Sequence, residues 1–466
     1  MDLLEQHEAR VRRDLELLTY PRRPWLRPRA AASGAPVHDA VVVGGGQGGL
    51  VAAAALMRER VERVLVLDEN PLDRAGPWLN FARMVTLRTP KYLTGPDLGV
   101  PSLTIQSWWE AQHGEGSWEA MGLVPKEAWA AYLAWYRRVM GVPVQPDTAV
   151  ERVRWSEADG CLAVDVLRRG AAETVYARRV ILATGIDGSG AWDVPAVVRD
   201  ALPKHRWAHT REDIDFDALR GKRVAVLGAG ASAFDNAATA LERGAAEVRV
   251  LFRRKKLVDV NAYRWAEFVG FLKHLGDLPD ADKWKFILQI VRMGQLPPAD
   301  TLRRASALPG FSLHPGSPWE RLEETPDGVR VTTPSGTHDV DFVIVGTGFV
   351  TDLSRRRELS ELWPHVALWR DRYTPPDDQR HADLERHPYL GPSFEFTERT
   401  PGEAPWVSRV YNYTFGCLPS LGFGGASISG MKYSVQRLSA GVTRSLFIED
   451  KDEHFAALMG FDEKEF

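Results

Sequence analysis

Apolar and polar positions fall into two recurring periods along this chain. Residues 1–18 carry apolar side chains at helical spacing among charges and predict an amphipathic helix. Pro21, Pro24, Pro28 and Pro36 then mark a linker. The run 39–43 predicts a buried strand, a glycine cluster follows, and small apolar residues over 49–59 predict a helix. A second strand is expected at 63–67, which completes a β-turn-α-β unit. Residues 70–125 read as loops and short helices. Residues 126–140 predict a helix with aromatic spacing at Trp129, Tyr132, Trp135 and Tyr136. Segments 148–155, 161–168 and 173–182 alternate in period two and predict antiparallel strands. The β-turn-α-β pattern restarts, with strands at 223–227 and 247–252 around a helix at 234–243. Residues 260–305 are expected to be helical, 328–333 and 340–345 to be strands, and 430–447 to form the last helix. The charged end, 449–466, is expected to be peripheral.

The turns inside the two units carry the candidate chemistry. Gly44-Gly45-Gly46-Gln47-Gly48-Gly49 is a G-x-G-x-x-G between strand and helix. Gly44 permits the tight turn, Gly46 lets backbone approach a pyrophosphate, and Gly49 allows close helix–strand packing. The helix start offers free N–H groups to phosphate. Asp68 and Glu69 close the second strand, where an acid binds ribose hydroxyls. The second turn, Gly228-Ala229-Gly230-Ala231-Ser232-Ala233, leads to a strand that ends in Arg253-Arg254-Lys255-Lys256. An arginine in place of the acid suits a 2′-phosphate, so this unit reads as an NADPH site. Two dinucleotide sites imply two cofactors, one supplying a hydride and one accepting it; FAD with NADPH is the usual pair.

Composition narrows the class. Lys+Arg number 59 against 62 Asp+Glu, a net charge of −3, which does not suit a protein that coats nucleic acid. Two cysteines, Cys161 and Cys417, form no C-x-x-C, which removes a dithiol centre and thiolate zinc ligation. No metal-ligand cluster and no Ser-His-Asp arrangement stands out. The glycines in the most apolar stretch, 40–57, argue against a membrane helix. The charged N-terminus has no signal core, so a cytoplasmic location is expected.

The order of the two units, with several further segments, resembles the class B flavoprotein monooxygenases, the group of the flavin-containing monooxygenases, Baeyer–Villiger enzymes and amine N-hydroxylases. The resemblance covers residues 38–447. Gly76-Pro77-Trp78 is similar to the family's Gly-Gly-x-Trp, and Leu87-Arg88-Thr89-Pro90-Lys91 to the segment that runs toward the flavin ring. Ala183-Thr184-Gly185 and Gly346-Thr347-Gly348 are similar to the two crossovers between domains. Of the family's F-x-G-x-x-x-H-x-x-x-aromatic fingerprint only His209 is present, with Pro203, His205 and Asp213 at the Phe, Gly and aromatic positions. The N-hydroxylases do not share that fingerprint, and Tyr411–Gly422 looks more like their C-terminal region.

The resemblance implies an α/β fold with two Rossmann-like domains, the FAD domain discontinuous and the NADPH domain inserted. The expected bounds are 1–37 for helix and linker, 38–205 and 341–466 for the FAD domain, and 206–340 for the NADPH domain. FAD is expected at Gly44, Gly46, Gln47, Gly49, Asp68, Glu69, Trp78, Arg88, Val150, Ala183, Thr184, Gly185, Gly425 and Ser427. NADPH is expected at Gly228, Gly230, Ala231, Ser232, Arg253, Arg254, His209, Gly346, Thr347 and Gly348. The loop Gly424–Ser429 offers N–H groups and a helix dipole to the flavin N1–C2=O edge, or is an ordinary glycine loop. Lys91 anchors a carboxylate substrate or is solvated; Asn261, Arg264, Trp265 and Glu267 line the nicotinamide pocket or lie on a surface helix. His209 is a cofactor contact or a structural histidine.

The activity so implied is NADPH-dependent reduction of FAD, then oxygen transfer from a C4a-(hydro)peroxyflavin to a nucleophilic heteroatom. The nitrogen of a small amine or amino acid is favoured, with molecular oxygen and a small molecule as partners. S-oxygenation, Baeyer–Villiger chemistry, an NADPH oxidase or reductase serving a quinone or protein, and a dinucleotide-binding sensor remain alternatives. The N-terminal helix and 16 tryptophans are compatible with a homo-oligomer.

Overall fold

The computed structural model describes residues 3–21, 23–93 and 95–466. Its architecture is α/β, built on two doubly wound units. In the first unit, strands Pro36–Val43, Val64–Leu67 and Ala171–Leu182 run parallel and form the centre of an eight-stranded sheet among the described residues. Their Val-, Ile- and Leu-rich runs are buried on both faces, as central parallel strands require. Thr148–Ser156 and Cys161–Arg168 extend the sheet as antiparallel ribbons. Val410–Asn412 pairs with the same central strand, so the chain returns to this sheet late in the sequence. Part of the expected linker also joins it, Arg29–Ala30 pairing with Pro36–Val43.

The second unit is a parallel sheet ordered Phe311–Pro315, Glu247–Phe252, Arg223–Leu227, Phe342–Val345, Trp207–His209. This corrects the boundary at 341. Phe342–Val345 belongs to the second sheet, where Val343, Ile344 and Val345 bury their side chains beside Arg223–Leu227. The crossing back follows at Phe349–Thr351, which pairs antiparallel with Gly190–Trp192 from the outgoing crossing. A three-stranded antiparallel sheet, 321–340, covers one side.

Helices cover the first sheet. The amphipathic helix is Leu3–Leu17, with residues 1 and 2 of the expected span outside the described residues; His7 stacks on Trp135 at 5.6 Å. The aromatic face of Lys126–Val139 is core, with Trp129, Tyr132 and Tyr136 fully buried. The long helix Ile428–Glu449 packs on the first-turn helix Gln47–Arg58, and Ser439 and Thr443 donate to the Glu59 carboxylate at 3.0 and 3.1 Å.

The peripheral reading of the chain end fails at its first two residues. Glu449 and Asp450 are tied into the sheet: Arg179 Nη1 donates to Glu449 at 2.7 Å and Arg178 Nη2 to Asp450 at 2.7 Å, with Arg29 and Arg409 also bonded to Glu449. Burial alone would raise the Glu449 carboxyl, but Arg179, Arg178 and Arg409 outweigh it and hold it at about 2. A depressed folded-state pKa stabilises above the ordinary carboxyl range and loses that contribution as pH falls through the folded value. Between about pH 4.5 and 2, acid should therefore remove up to about 3 kcal/mol through this group. Urea melts of the wild type and Glu449→Gln across that range check this, since the variant's stability should fall less with acid than the wild type's.

Candidate functional site

The first glycine turn is shaped by contacts that exclude side chains. Gly44 has φ +106°, and the carbonyl of Ala183 stands where its Cβ would be. A Cβ on Gly49 would overlap the Gly44 carbonyl oxygen, so its role is to seat the helix against the strand. A Cβ on Gly46 meets only Gly76 Cα, at 3.6 Å, beside the cavity that Gly46 lines. The two acids at the end of Val64–Leu67 divide their work. Asp68 is buried and accepts from the Gly45 N–H at 2.6 Å and the Asn70 N–H at 2.8 Å, so its carboxylate holds the turn. Glu69 is exposed beside it, with its carboxylate on the cavity edge.

A cavity of about 930 Å3 runs past this turn. It brings together Gly44, Gly46, Gln47, Asp68, Glu69, Trp78, Arg88, Val150, Ala183, Thr184, Gly185, Gly425 and Ser427, that is, every first-cofactor residue expected from sequence except Gly49 beneath the turn. These residues come from stretches spread between 44 and 427 in the chain. Trp129 Nε1 donates to Gln47 Oε1 at 3.3 Å, and Gln47 Nε2 to the Gly425 carbonyl at 3.5 Å, which fixes the 424–427 loop over the helix start. The Trp78 Nε1 and Thr184 Oγ1 atoms are buried without a protein partner, and both residues line the cavity. Each such orphan costs about 1–3 kcal/mol unless something else bonds to it. Trp78 Nε1 lies 3.8 Å from the Cβ position of Gly76, the glycine facing Gly46. Donors, glycine cradle and acid together fit a dinucleotide with its pyrophosphate at the turn.

The second turn has the same form. Gly228 has φ +112°, and the Gly346 carbonyl fills its Cβ position. Gly230 opens on free space ahead of Ala231 and Ser232 at the start of Ala231–Glu242. Gly346 makes room for Ala233, and the Thr347 hydroxyl bonds the Asp193 carbonyl. Both belong to the crossing between units, as does Gly348, whose carbonyl accepts from Asp193 N at 3.0 Å. Arg253 and Arg254 are exposed at the end of Glu247–Phe252, Arg254 bonding the Met293 carbonyl at 3.4 Å. His209 is buried under Trp192 at 5.3 Å, and its Nδ1 accepts from the Arg211 N–H at 3.2 Å. Burial pushes its pKa down to about 4, so the ring is neutral at pH 7.

Of Lys91, Asn261 and Ser427, expected near the reacting rings, the first two are not in the cavity lining. Lys91 donates to the carbonyls of Trp118 and Met121, the latter at 2.6 Å, and lies over the Trp118 ring. Main-chain carbonyls hold its ammonium in place of the carboxylate substrate expected from sequence. Asn261 caps Ala262–Trp265, its Oδ1 accepting from Arg264 N at 3.1 Å. Trp265 is 54% exposed, and Glu267 accepts from Ser429 Oγ at 3.3 Å. Ser427 alone lines the cavity, with Tyr263, Gln295 and Phe423, which sequence reasoning passed over. Tyr263 stacks on Phe423 at 5.5 Å and 18°. Arg355, Arg356 and Arg357, also missed, border the cavity beside Val150 and Glu151.

Over 463 residues, 99% of this chain and 97% of its relative, the sequence is 45% identical to the FAD-dependent urate hydroxylase of Xanthomonas campestris pv. campestris. The chain belongs to that hydroxylase's family, among the class B flavoprotein monooxygenases. A model described as pyridine nucleotide-disulphide oxidoreductase matches residues 41–265. Cys161 and Cys417 are both buried and free, and neither lines the cavity. The fold is similar to that of an ornithine N-hydroxylase from Kutzneria sp. 744, with a TM-score of 0.68 at 17% identity over 88% of this chain and 100% of that one. It is also similar to L-lysine 6-monooxygenase from Pseudomonas syringae, with a TM-score of 0.64 at 18% identity over 88% and 99%. Among the described residues no helix is long and apolar enough to cross a membrane.

Proposed function

We propose that this protein is an NADPH-dependent FAD monooxygenase that hydroxylates urate or a closely similar electron-rich purine. The observation that carries the substrate is the 45% identity to a urate hydroxylase along almost the whole chain. The cofactor reading rests on the cavity. The nitrogen of an amine or amino acid, favoured by the sequence resemblance, has support from fold neighbours at 17% and 18% identity. Lys91, its expected carboxylate anchor, is turned onto carbonyls.

Bound flavin supplies the redox chemistry: a hydride from NADPH comes in, two electrons pass to O2, one oxygen atom goes to the substrate and the other leaves as water. The chain does the rest. Gly46 and the N–H groups at the start of Gln47–Arg58 hold the pyrophosphate, with Trp78 Nε1 and Thr184 Oγ1 as further donors. Glu69 would bind ribose, and the Val150 backbone would contact the adenine. The Gly425–Ser427 loop, ahead of the dipole of Ile428–Glu449, faces the flavin edge that gains negative charge on reduction. Tyr263 and Phe423 keep water from the reacting face. Gly228, Gly230, Ala231 and Ser232 take the NADPH pyrophosphate, and Arg253 takes its 2′-phosphate in a charge-assisted pair.

Urate should accelerate NADPH oxidation by the purified enzyme, while ornithine and lysine should not. Arg253→Ala should raise KM for NADPH about 30-fold and for NADH less than twofold. Acceleration by the amino acids alone would overturn the substrate. An unchanged preference in the variant would remove Arg253 from the phosphate site.

A further inference from the structure

The arginines around the cavity differ in how they are held. Arg356 is paired with Glu358 and Asp187, and Arg357 with Glu151. Those pairs sit at the Val150 end. Arg88 enters from the segment that follows Leu87 and is bonded across the units to a carboxylate. Its Nη2 bonds the carboxylate of Asp235, on the second-turn helix Ala231–Glu242. Among the described residues that is its one hydrogen-bond partner, and the side chain keeps 31% exposure.

Asp235 is itself fixed. It is buried, and Thr301 Oγ1 donates to its Oδ1 at 3.1 Å. Burial pushes its carboxyl up, and the Arg88 charge opposes that. Such a pair adds little net stability, because both charges give up water. It does set direction. A guanidinium presents five N–H donors in a rigid plane, and with Nη2 bonded to Asp235 the Nε–H and the Nη1 N–H groups remain as separate donors.

What lies near the segment suits a flat ligand. Leu93, Tyr263, Phe415 and Phe423 share one apolar cluster, and Tyr263, Phe415 and Phe423 line the cavity. The proposed substrate, urate, is a planar heterocycle that carries a negative charge at neutral pH and presents carbonyl acceptors on its edges. An aromatic wall takes its face and a fixed guanidinium takes its charge.

We propose that Arg88, which the resemblance assigns to FAD, instead holds the negative charge of the substrate, its guanidinium positioned by Asp235 from the opposite unit. This rests on the urate reading above. It makes Arg88 a specificity determinant for anionic heterocycles and ties substrate recognition to the docking of the second unit.

The test is equilibrium binding of urate to the oxidised holoenzyme, followed by the flavin absorbance change, in wild type, Arg88→Met and Arg88→Lys. FAD content and NADP+ affinity are measured on each. Arg88→Met should raise the urate Kd about 50-fold, with FAD content and NADP+ Kd within twofold of wild type. Arg88→Lys keeps the charge without the fork and should recover to within about tenfold of wild type. Equal urate affinity in wild type and Arg88→Met overturns the assignment while leaving urate as substrate. Parallel losses for urate and NADP+ overturn it as well, since they mark a structural fault. No urate binding by wild type overturns the substrate reading and this assignment with it.

Discussion

Gly46→Val should yield a folded protein with less than about a tenth of the wild-type FAD. The backbone at Gly46 is not in the left-handed region, and a Cβ there meets only Gly76 Cα at ordinary contact distance, so the chain itself tolerates the substitution. The two γ-methyls of valine would occupy the ground beside the turn where a pyrophosphate must approach the backbone. Losing that approach removes the N–H contacts of the helix start, each a charge-assisted bond of about 1.5–3 kcal/mol. Two or three of them are worth several powers of ten in affinity. Absorbance of the purified variant near the flavin bands, with far-UV circular dichroism as the control for folding, reads the outcome. Normal flavin content would remove the first turn from the cofactor site.

Gly49→Ala should do the opposite and unfold the domain rather than empty it. Three residues from Gly46 and in the same motif, Gly49 lies outside the cavity lining, and its added Cβ would overlap the Gly44 carbonyl oxygen. That oxygen is main chain in the turn itself and cannot swing away, so helix and strand must part. A forced separation in a packed core costs about 3 kcal/mol or more. Chemical denaturation of the apo forms compares the two variants without the stabilisation that bound cofactor adds. The apo Gly49→Ala midpoint should fall well below the apo wild type, and the apo Gly46→Val midpoint should stay near it. If both variants lost only cofactor, the packing role of Gly49 would be wrong.

This division of labour within one motif shows what sequence could carry. The turn, both strands and both helices were legible because their signals are local: glycines at fixed offsets between a buried apolar run and a helical one. Even the third position is explained locally. Ala233 stands where the first unit has Gly49, and the structure matches its methyl with Gly346, which has no Cβ to meet it. The roles of Asp68 and Glu69 were not separable in sequence, since two adjacent acids at a strand end look alike. Only the 2.6 Å bond from the Gly45 N–H assigns Asp68 to the turn.

The substrate end was hardest to read, for a physical reason. Lys91 and Asn261 were credible from type and place, but a side chain's direction depends on partners elsewhere in the chain. Lys91 is drawn to carbonyls at Trp118 and Met121, and Asn261 is spent on a four-residue helix. Tyr263 was missed between two residues that were picked, because the helix Ala262–Trp265 is too short to announce its inward face. Glu449 and Asp450 were set aside as a charged tail. Charge near a chain end is a weak signal until Arg178 and Arg179, some 270 residues earlier, are seen to meet it.

The most direct test of the whole account is the fate of oxygen in turnover. Urate, NADPH and 18O2 are supplied to the FAD-loaded enzyme, and the product is analysed by mass spectrometry while NADPH consumption is followed. The account predicts one 18O atom per hydroxylated product and one NADPH consumed for each. NADPH oxidation that releases hydrogen peroxide and leaves urate unlabelled would contradict it and leave an oxidase in its place.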